Sequence, residues 1–207
     1  MLNVGLTGGI ACGKSTVAKM LVGRGAHLID FDKLAHEVCE PEKPAWREIV
    51  RTFGAEILAA NKKIDRNKLG RIVFDDKKKL KTLSDIVHPY IFKEWHTRLK
   101  AIRKADLHAV VLSDVPLLYE ENLQHYFDLT LLILIPPEEQ IRRLMARSRL
   151  SHEEAEKRLK SQIPIGEKIR LADIIIDNRG TVVETEEAVA EVWRDLQERE
   201  EARRKSQ

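Results

Sequence analysis

The sequence predicts an α/β chain whose core is a doubly wound, parallel, five-stranded sheet, with a helical domain inserted and an arm of further helices. Three observations carry that prediction. Short apolar runs nearly continuous in Val, Ile and Leu recur at residues 2–6, 26–29, 109–112, 129–135 and 174–176, as parallel strands buried on both faces require. Stretches with helical spacing separate them, the alternation that builds such sheets. Roughly 75 residues lie between the second and third runs, far more than a simple crossover needs.

Each element has its own signals. After the first run comes a glycine cluster and then a helix over residues 15–22, punctuated by Gly23 and Gly25. The second strand closes on Asp30 and Asp32. The insertion, residues 35–104, reads as helices over 46–53, 66–73, 77–87 and 90–104, a small substrate domain. The third strand ends on Ser113-Asp114, and the fourth is stopped by Pro136-Pro137. Residues 138–168 form a second excursion, an expected lid within a core made of residues 1–34 and 105–207. The fifth strand ends on Asp177-Asn178, and a last helix over 182–205 is expected to fray past Glu198.

Composition narrows the class. The 207 residues can bury a sizeable core without disulfides or a structural metal. Basic and acidic residues nearly balance, 36 against 33, which argues against a dedicated nucleic-acid binder but leaves room for a local anion pocket. Cys12 and Cys39 are too few for a disulfide framework and suit a reducing compartment. No apolar run approaches the ~20 residues of a membrane span, and the chain starts without a cleavable leader. A cytoplasmic protein without membrane or nucleic-acid partners, monomeric or weakly self-associating, is the expectation.

The strongest chemical signal is Gly8-Gly9-Ile10-Ala11-Cys12-Gly13-Lys14-Ser15, which fits G-x-x-x-x-G-K-[ST] and is followed by Thr16. Glycines let successive backbone N–H groups converge on phosphates, and the following helix adds the positive end of its dipole. In this chemistry Lys14 reaches the β- and γ-phosphates of ATP and the Ser15 hydroxyl holds Mg²⁺. An ordinary glycine-rich turn would not need the lysine and serine at those offsets.

Other candidates gather at strand ends, where ligands of such sheets bind. Asp30 and Asp32 flank Phe31 and project to one side if the segment stays extended, so one of them can take a proton from an acceptor hydroxyl. The bland alternative is a helix cap. Asp114 stands where phosphate-loop enzymes keep an acid that holds Mg²⁺ through water. Arg142, Arg143, Arg147 and Arg149 run without an intervening acid, which favours an arm that presents guanidinium groups to a moving phosphoryl group, chiefly through Arg147 and Arg143. The seven histidines are scattered and give no metal spacing; the lysines from 77 to 81 read as a solvated face.

Taken in order, Gly5-Leu6-Thr7-Gly8-Gly9-Ile10, Gly13-Lys14-Ser15-Thr16-Val17, Ile29-Asp30-Phe31-Asp32-Lys33, His88-Pro89, Asp114-Val115-Pro116-Leu117-Leu118-Tyr119-Glu120, the 143–147 arm, Ser161-Gln162, Ala172-Asp173 and Asn178 resemble the dephospho-coenzyme A kinase family almost end to end. The resemblance implies a P-loop kinase fold and ATP-dependent phosphorylation of the ribose 3′-hydroxyl of dephospho-coenzyme A, the last step of coenzyme A synthesis. It implies Asp32 as catalytic base, Lys14 and Arg147 as phosphate-binding groups, Asn178 near the adenine, and His88 beside the acceptor pocket of a coenzyme-binding insertion. The rivals are another small-molecule or nucleotide kinase on the same core, and a nucleotide-dependent regulatory binding protein.

Two departures from the family pattern stand out. Ala11-Cys12 replaces a usual Gly-Ser, and Arg149 lies in a stretch that often has glycine. Ala11 is expected to keep an ordinary backbone or carry about 1 kcal/mol of strain. Cys12, close to Lys14 and a helix start, is expected to be acidified, reactive and shielded by MgATP.

Overall fold

The computed structural model describes residues 1–205. The chain runs β1 (Leu2–Gly8), α1 (Lys14–Val22), β2 (His27–Asp30), α2 (Phe31–Val38), α3 (Pro44–Phe53), α4 (Arg66–Val73) and α5 (Lys77–Ala105). It continues through β3 (Val110–Asp114), β4 (Leu129–Leu134), α6 (Pro137–Ser148), α7 (His152–Lys160), α8 (Ile165–Leu171), β5 (Ile174–Asp177) and α9 (Val182–Lys205).

The five strands form one parallel sheet in the order β2-β3-β1-β4-β5. Every residue of β1 and β3 is buried, which is why those runs are apolar without alternation. Val4, Leu6, Leu112, Leu131 and Ile133 form the sheet's share of the core, against Val17 and Leu21 of α1 and Val189 and Leu196 of α9. Parallel pairing puts all carboxyl ends on one edge. There Asp114 stands in register with Leu6 on one side and Asp30 on the other.

The chain divides into two compact units, residues 31–101 and the remainder. The inserted unit has its own core of Ile49, Ile57, Leu69 and Val73, together with a cluster in which Phe31, Phe92 and Trp95 meet edge to face or tilted. Trp46 donates its indole N–H to the Lys62 carbonyl at 2.9 Å. No helix among the described residues is long and apolar enough to cross a membrane.

Three expectations are corrected. The helices over 77–87 and 90–104 are one helix, α5, that runs through Pro89. Proline removes only the bond to the carbonyl of Asp85, and both residues are exposed, so that carbonyl is open to a water donor in place of the missing N–H. The segment from Asp30 to Asp32 is not extended, because β2 ends at Asp30 and α2 starts at Phe31; the two carboxylates therefore do not share a strand face. The last helix holds through Lys205. Buried Glu200 accepts from the Met1 amine at 3.1 Å and Arg203 pairs with Asp128, tying down the end expected to fray.

Candidate functional site

The exit of β1 makes a loop shaped for anions. Gly13 takes the left-handed conformation (φ 88°, ψ 14°) as the N-cap of α1, and no side chain caps that helix or places an acid in its first turn. The amides of Lys14 and Ser15 thus lack intrahelical acceptors, and the helix dipole is unopposed. A side chain at Gly8 would press to 2.5 Å from the Cys12 sulfur and 2.9 Å from the Ile133 carbonyl oxygen, so the turn demands glycine there as well. Ser15 and Thr16 lie exposed just beyond.

Lys14 does not reach out freely. Its ammonium is ion-paired with the Oδ1 of Asp114, the side chains being 16% and 10% exposed. The sequence named both residues but assigned them to separate tasks. Parallel register between β1 and β3 is what brings the strand end and the loop together.

Three side chains from the far half of the chain hold the loop. The Asn178 amide donates to the Cys12 carbonyl at 2.8 Å and accepts from the Thr185 hydroxyl at 2.8 Å. Gln140 lies buried under Gly9 and donates to the Ile135 carbonyl at 3.1 Å. Gln162 accepts the Ile10 amide at 2.9 Å. The sequence reading gave neither glutamine a role, since an amide's partner at such chain separation leaves no local pattern. Asn178, expected near the adenine, has its side chain engaged with the loop itself.

The arginine arm divides. Glu139 accepts from Arg142 at 2.7 and 2.6 Å and from Arg143 at 2.6 Å. These two guanidinium groups, Arg142 first, hold the Glu139 carboxyl down to about 2. The stretch from 142 to 149 holds no acid, and the acid that Arg142 and Arg143 share sits one turn earlier on α6. Arg143 also donates to the Asn178 carbonyl at 3.2 Å, next to the loop. Arg147 is exposed and makes no ion pair or side-chain hydrogen bond among the described residues. Arg149 ends α6 in the left-handed region, φ 53°.

Ala11 is left-handed too, at φ 57°, so the expectation of an ordinary backbone there gives way to the strained alternative. The Cys12 thiol is buried (2% exposed), and that burial pushes it above its usual range despite Lys14 nearby. Desolvation outweighs the neighbouring charge, and the expected acidified, reactive thiol is corrected to an inert one.

In the inserted unit, Asp32 lies exposed in the first turn of α2. His88 packs edge-on against Phe92 and borders a cavity of about 420 Å³, walled by Ile49, Leu69, Val73 and Val87 with Arg66 at hand.

Comparison with known proteins converges on one reading. The family model described as CoaE, dephospho-CoA kinase, matches residues 2–184. A dephospho-CoA kinase of Syntrophus aciditrophicus is 52% identical over all of this chain and 88% of its own length. The solved protein TT1252 of Thermus thermophilus superposes with a TM-score of 0.82 at 35% identity, covering 94% of this chain and 97% of that one. A dephospho-CoA kinase from Campylobacter jejuni gives 0.72 at 31% identity, covering 95% and 97%. With its phosphate loop, sheet order and near full-length matches, the chain belongs to the dephospho-CoA kinase family.

Proposed function

We propose that the chain transfers the γ-phosphoryl group of ATP to the ribose 3′-hydroxyl of dephospho-CoA, forming CoA. The observation that carries the assignment of parts is the uncapped start of α1 behind left-handed Gly13, with Lys14 already placed on Asp114.

In this reading the loop from Gly8 to Thr16 binds the triphosphate through amides other than those of Ile10, Cys12 and Thr16, which already have acceptors, and Lys14 exchanges part of its contact with Asp114 for the β- and γ-phosphate oxygens. Arg143, fixed by Glu139 beside the loop, neutralises charge from one side. Arg147, free of such a partner, comes from the lid over 138–168 to meet the moving phosphoryl group. Asp32 orients the 3′-hydroxyl and takes its proton. Asp30, in register with Asp114 at the end of β2, completes the acidic edge.

The donor chemistry fits Mg²⁺. Among the described residues no group of three or more His, Cys, Asp or Glu is placed to hold a metal. Magnesium at kinase sites needs no such cage, since it keeps waters and takes one or two protein oxygens plus phosphates. The Ser15 hydroxyl and the Asp114 carboxylate would hold it, and it would supply positive charge to the β- and γ-phosphates.

The acceptor's long arm calls for an apolar recess with a few polar groups, and the cavity bordered by His88 in the unit of residues 31–101 has that character and a ligand's size. We assign the coenzyme arm to it. We place the protein in the cytoplasm, as a monomer or weak homo-oligomer with small-molecule substrates only.

Incubation with MgATP and a panel of acceptor alcohols, read by ADP release and product mass, tests the reading. Addition of one phosphate to dephospho-CoA alone supports it. Transfer to another acceptor, or nucleotide binding without transfer, removes it.

A further inference from the structure

The Ile10 amide belongs to the phosphate loop, yet its acceptor is the side chain of Gln162, which lies just past α7. The next residue is fixed in turn. Ile163 donates its backbone N–H to the Oε1 of Glu120 at 3.2 Å, and that same oxygen is 2.6 Å from the Lys168 ammonium. Lys168 is only 1% exposed. Breaking such a buried ion pair leaves an uncompensated charge and is strongly destabilising. The pair therefore sets the position of residue 163, and with it the reach of Gln162.

We propose that Gln162 is a positioning residue for nucleotide binding: through the Ile10 amide it holds the phosphate loop in its binding conformation, with Glu120 and Lys168 as its anchor. This rests on the reading of the loop as a triphosphate site. Ile10 precedes Ala11, whose left-handed backbone is not one that an alanine adopts unaided. Asn178 secures the other side of Ala11 by binding the Cys12 carbonyl at 2.8 Å. The strained residue is thus clamped between two side-chain amides. Losing one clamp lets the loop relax, and the apparent affinity then falls by the fraction of molecules still in the competent conformation. A drop in that fraction to about a tenth weakens binding about tenfold.

Two variants test this. Gln162→Ala removes the side chain, whereas Gln162→Met keeps its length and packing but has no carbonyl oxygen. Both are expected to raise the calorimetric Kd and the KM for MgATP about tenfold, with kcat within about threefold and the KM for dephospho-CoA within about twofold. The unfolding midpoint should stay within about 2 °C of wild type, a small surface-type effect. A Met variant that binds MgATP like wild type would reduce the contact to packing and overturn the proposal. Tighter MgATP binding in either variant would overturn it as well, since Gln162 would then be a competitor for the amide. An equal loss in both substrates' KM together with a lower midpoint would make the residue merely structural. Wild-type protein that phosphorylates an acceptor other than dephospho-CoA, with both variants still weakened for MgATP alone, would overturn the functional reading and uphold this one.

Discussion

Lys14 and Asp114 are ion-paired at the carboxyl edge of the sheet, a lysine from the phosphate loop on an aspartate from the neighbouring strand. Before nucleotide arrives the pair keeps the lysine extended toward the site, so little side-chain entropy remains to be lost on binding. Lys14→Ala is expected to lower kcat/KM at least about a hundredfold, or about 2.7 kcal/mol of transition-state stabilisation. Steady-state kinetics on protein shown to be folded by circular dichroism checks it. A loss under tenfold would mean the lysine serves Asp114 rather than the phosphates.

Asp32 stands exposed in the first turn of α2, where an acidic side chain also suits the helix dipole. A capping role and a proton-accepting role give different signatures. Asp32→Asn is expected to cut kcat by about 10²–10⁴ with both KM values nearly unchanged. Near wild-type turnover, with only a lower unfolding midpoint, would assign the residue to the helix and send the search for the proton acceptor elsewhere.

On α6, two exposed arginines five positions apart differ in their partners among the described residues. Arg142 is exposed and tied to Glu139, whereas Arg147 is exposed without such a partner. Exposed ion pairs contribute little, so Arg142→Ala should leave turnover within about twofold. Arg147→Ala should cost at least about a hundredfold in kcat/KM through lost charge stabilisation. Equal effects of the two substitutions would sink the assignment of Arg147 to the phosphoryl group.

Ala11 and Arg149 share an uncommon feature: both adopt positive φ, 57° and 53°, in the left-handed region that favours glycine. Each Cβ there crowds the following carbonyl, at a cost of about 1 kcal/mol. Arg149→Gly is expected to stabilise the fold by about that amount and raise the unfolding midpoint by about 2–4 °C. Ala11→Gly should do the same. Thermal unfolding of the two variants beside wild type decides it, and an unchanged or lower midpoint in both would show that the surroundings have already relieved the strain.

What the sequence made legible follows from where the causes are local. A strand buried on both faces must be apolar throughout, so β1, β3 and β4 were readable as runs of Val, Ile and Leu. The phosphate loop was readable because Gly13, Lys14 and Ser15 act through fixed offsets from one helix start. Causes that lie across the fold were not. Gln162 meets Ile10 across 152 residues, and Lys168 meets Glu120 from another part of the chain. The geometry of Asp30 and Asp32 was misread because the same short segment can be strand or helix start, and the packing of Phe31 against Phe92 and Trp95 goes with the helical choice. Pro89 looked like a break because propensity says so, but an exposed helix face leaves the one carbonyl it abandons open to water.

The Cys12 thiol shows how a neighbouring charge and burial compete. Lys14 lowers its proton affinity through its amide and its charge, and the loss of solvent raises it by more. Nucleophilic attack requires the thiolate, whose share at pH 8 shrinks as the proton is held more tightly. The sulfur also lies against Gly8, closed off from a reagent's approach. Alkylation at pH 8 is therefore expected to leave Cys12 unmodified in the folded protein, with or without MgATP, and to proceed once denaturant opens the loop. Peptide mass mapping after timed iodoacetamide treatment gives the answer site by site. Rapid labelling of Cys12 in the native protein, slowed by MgATP, would mean that the loop opens often enough for the charge of Lys14 to prevail over burial.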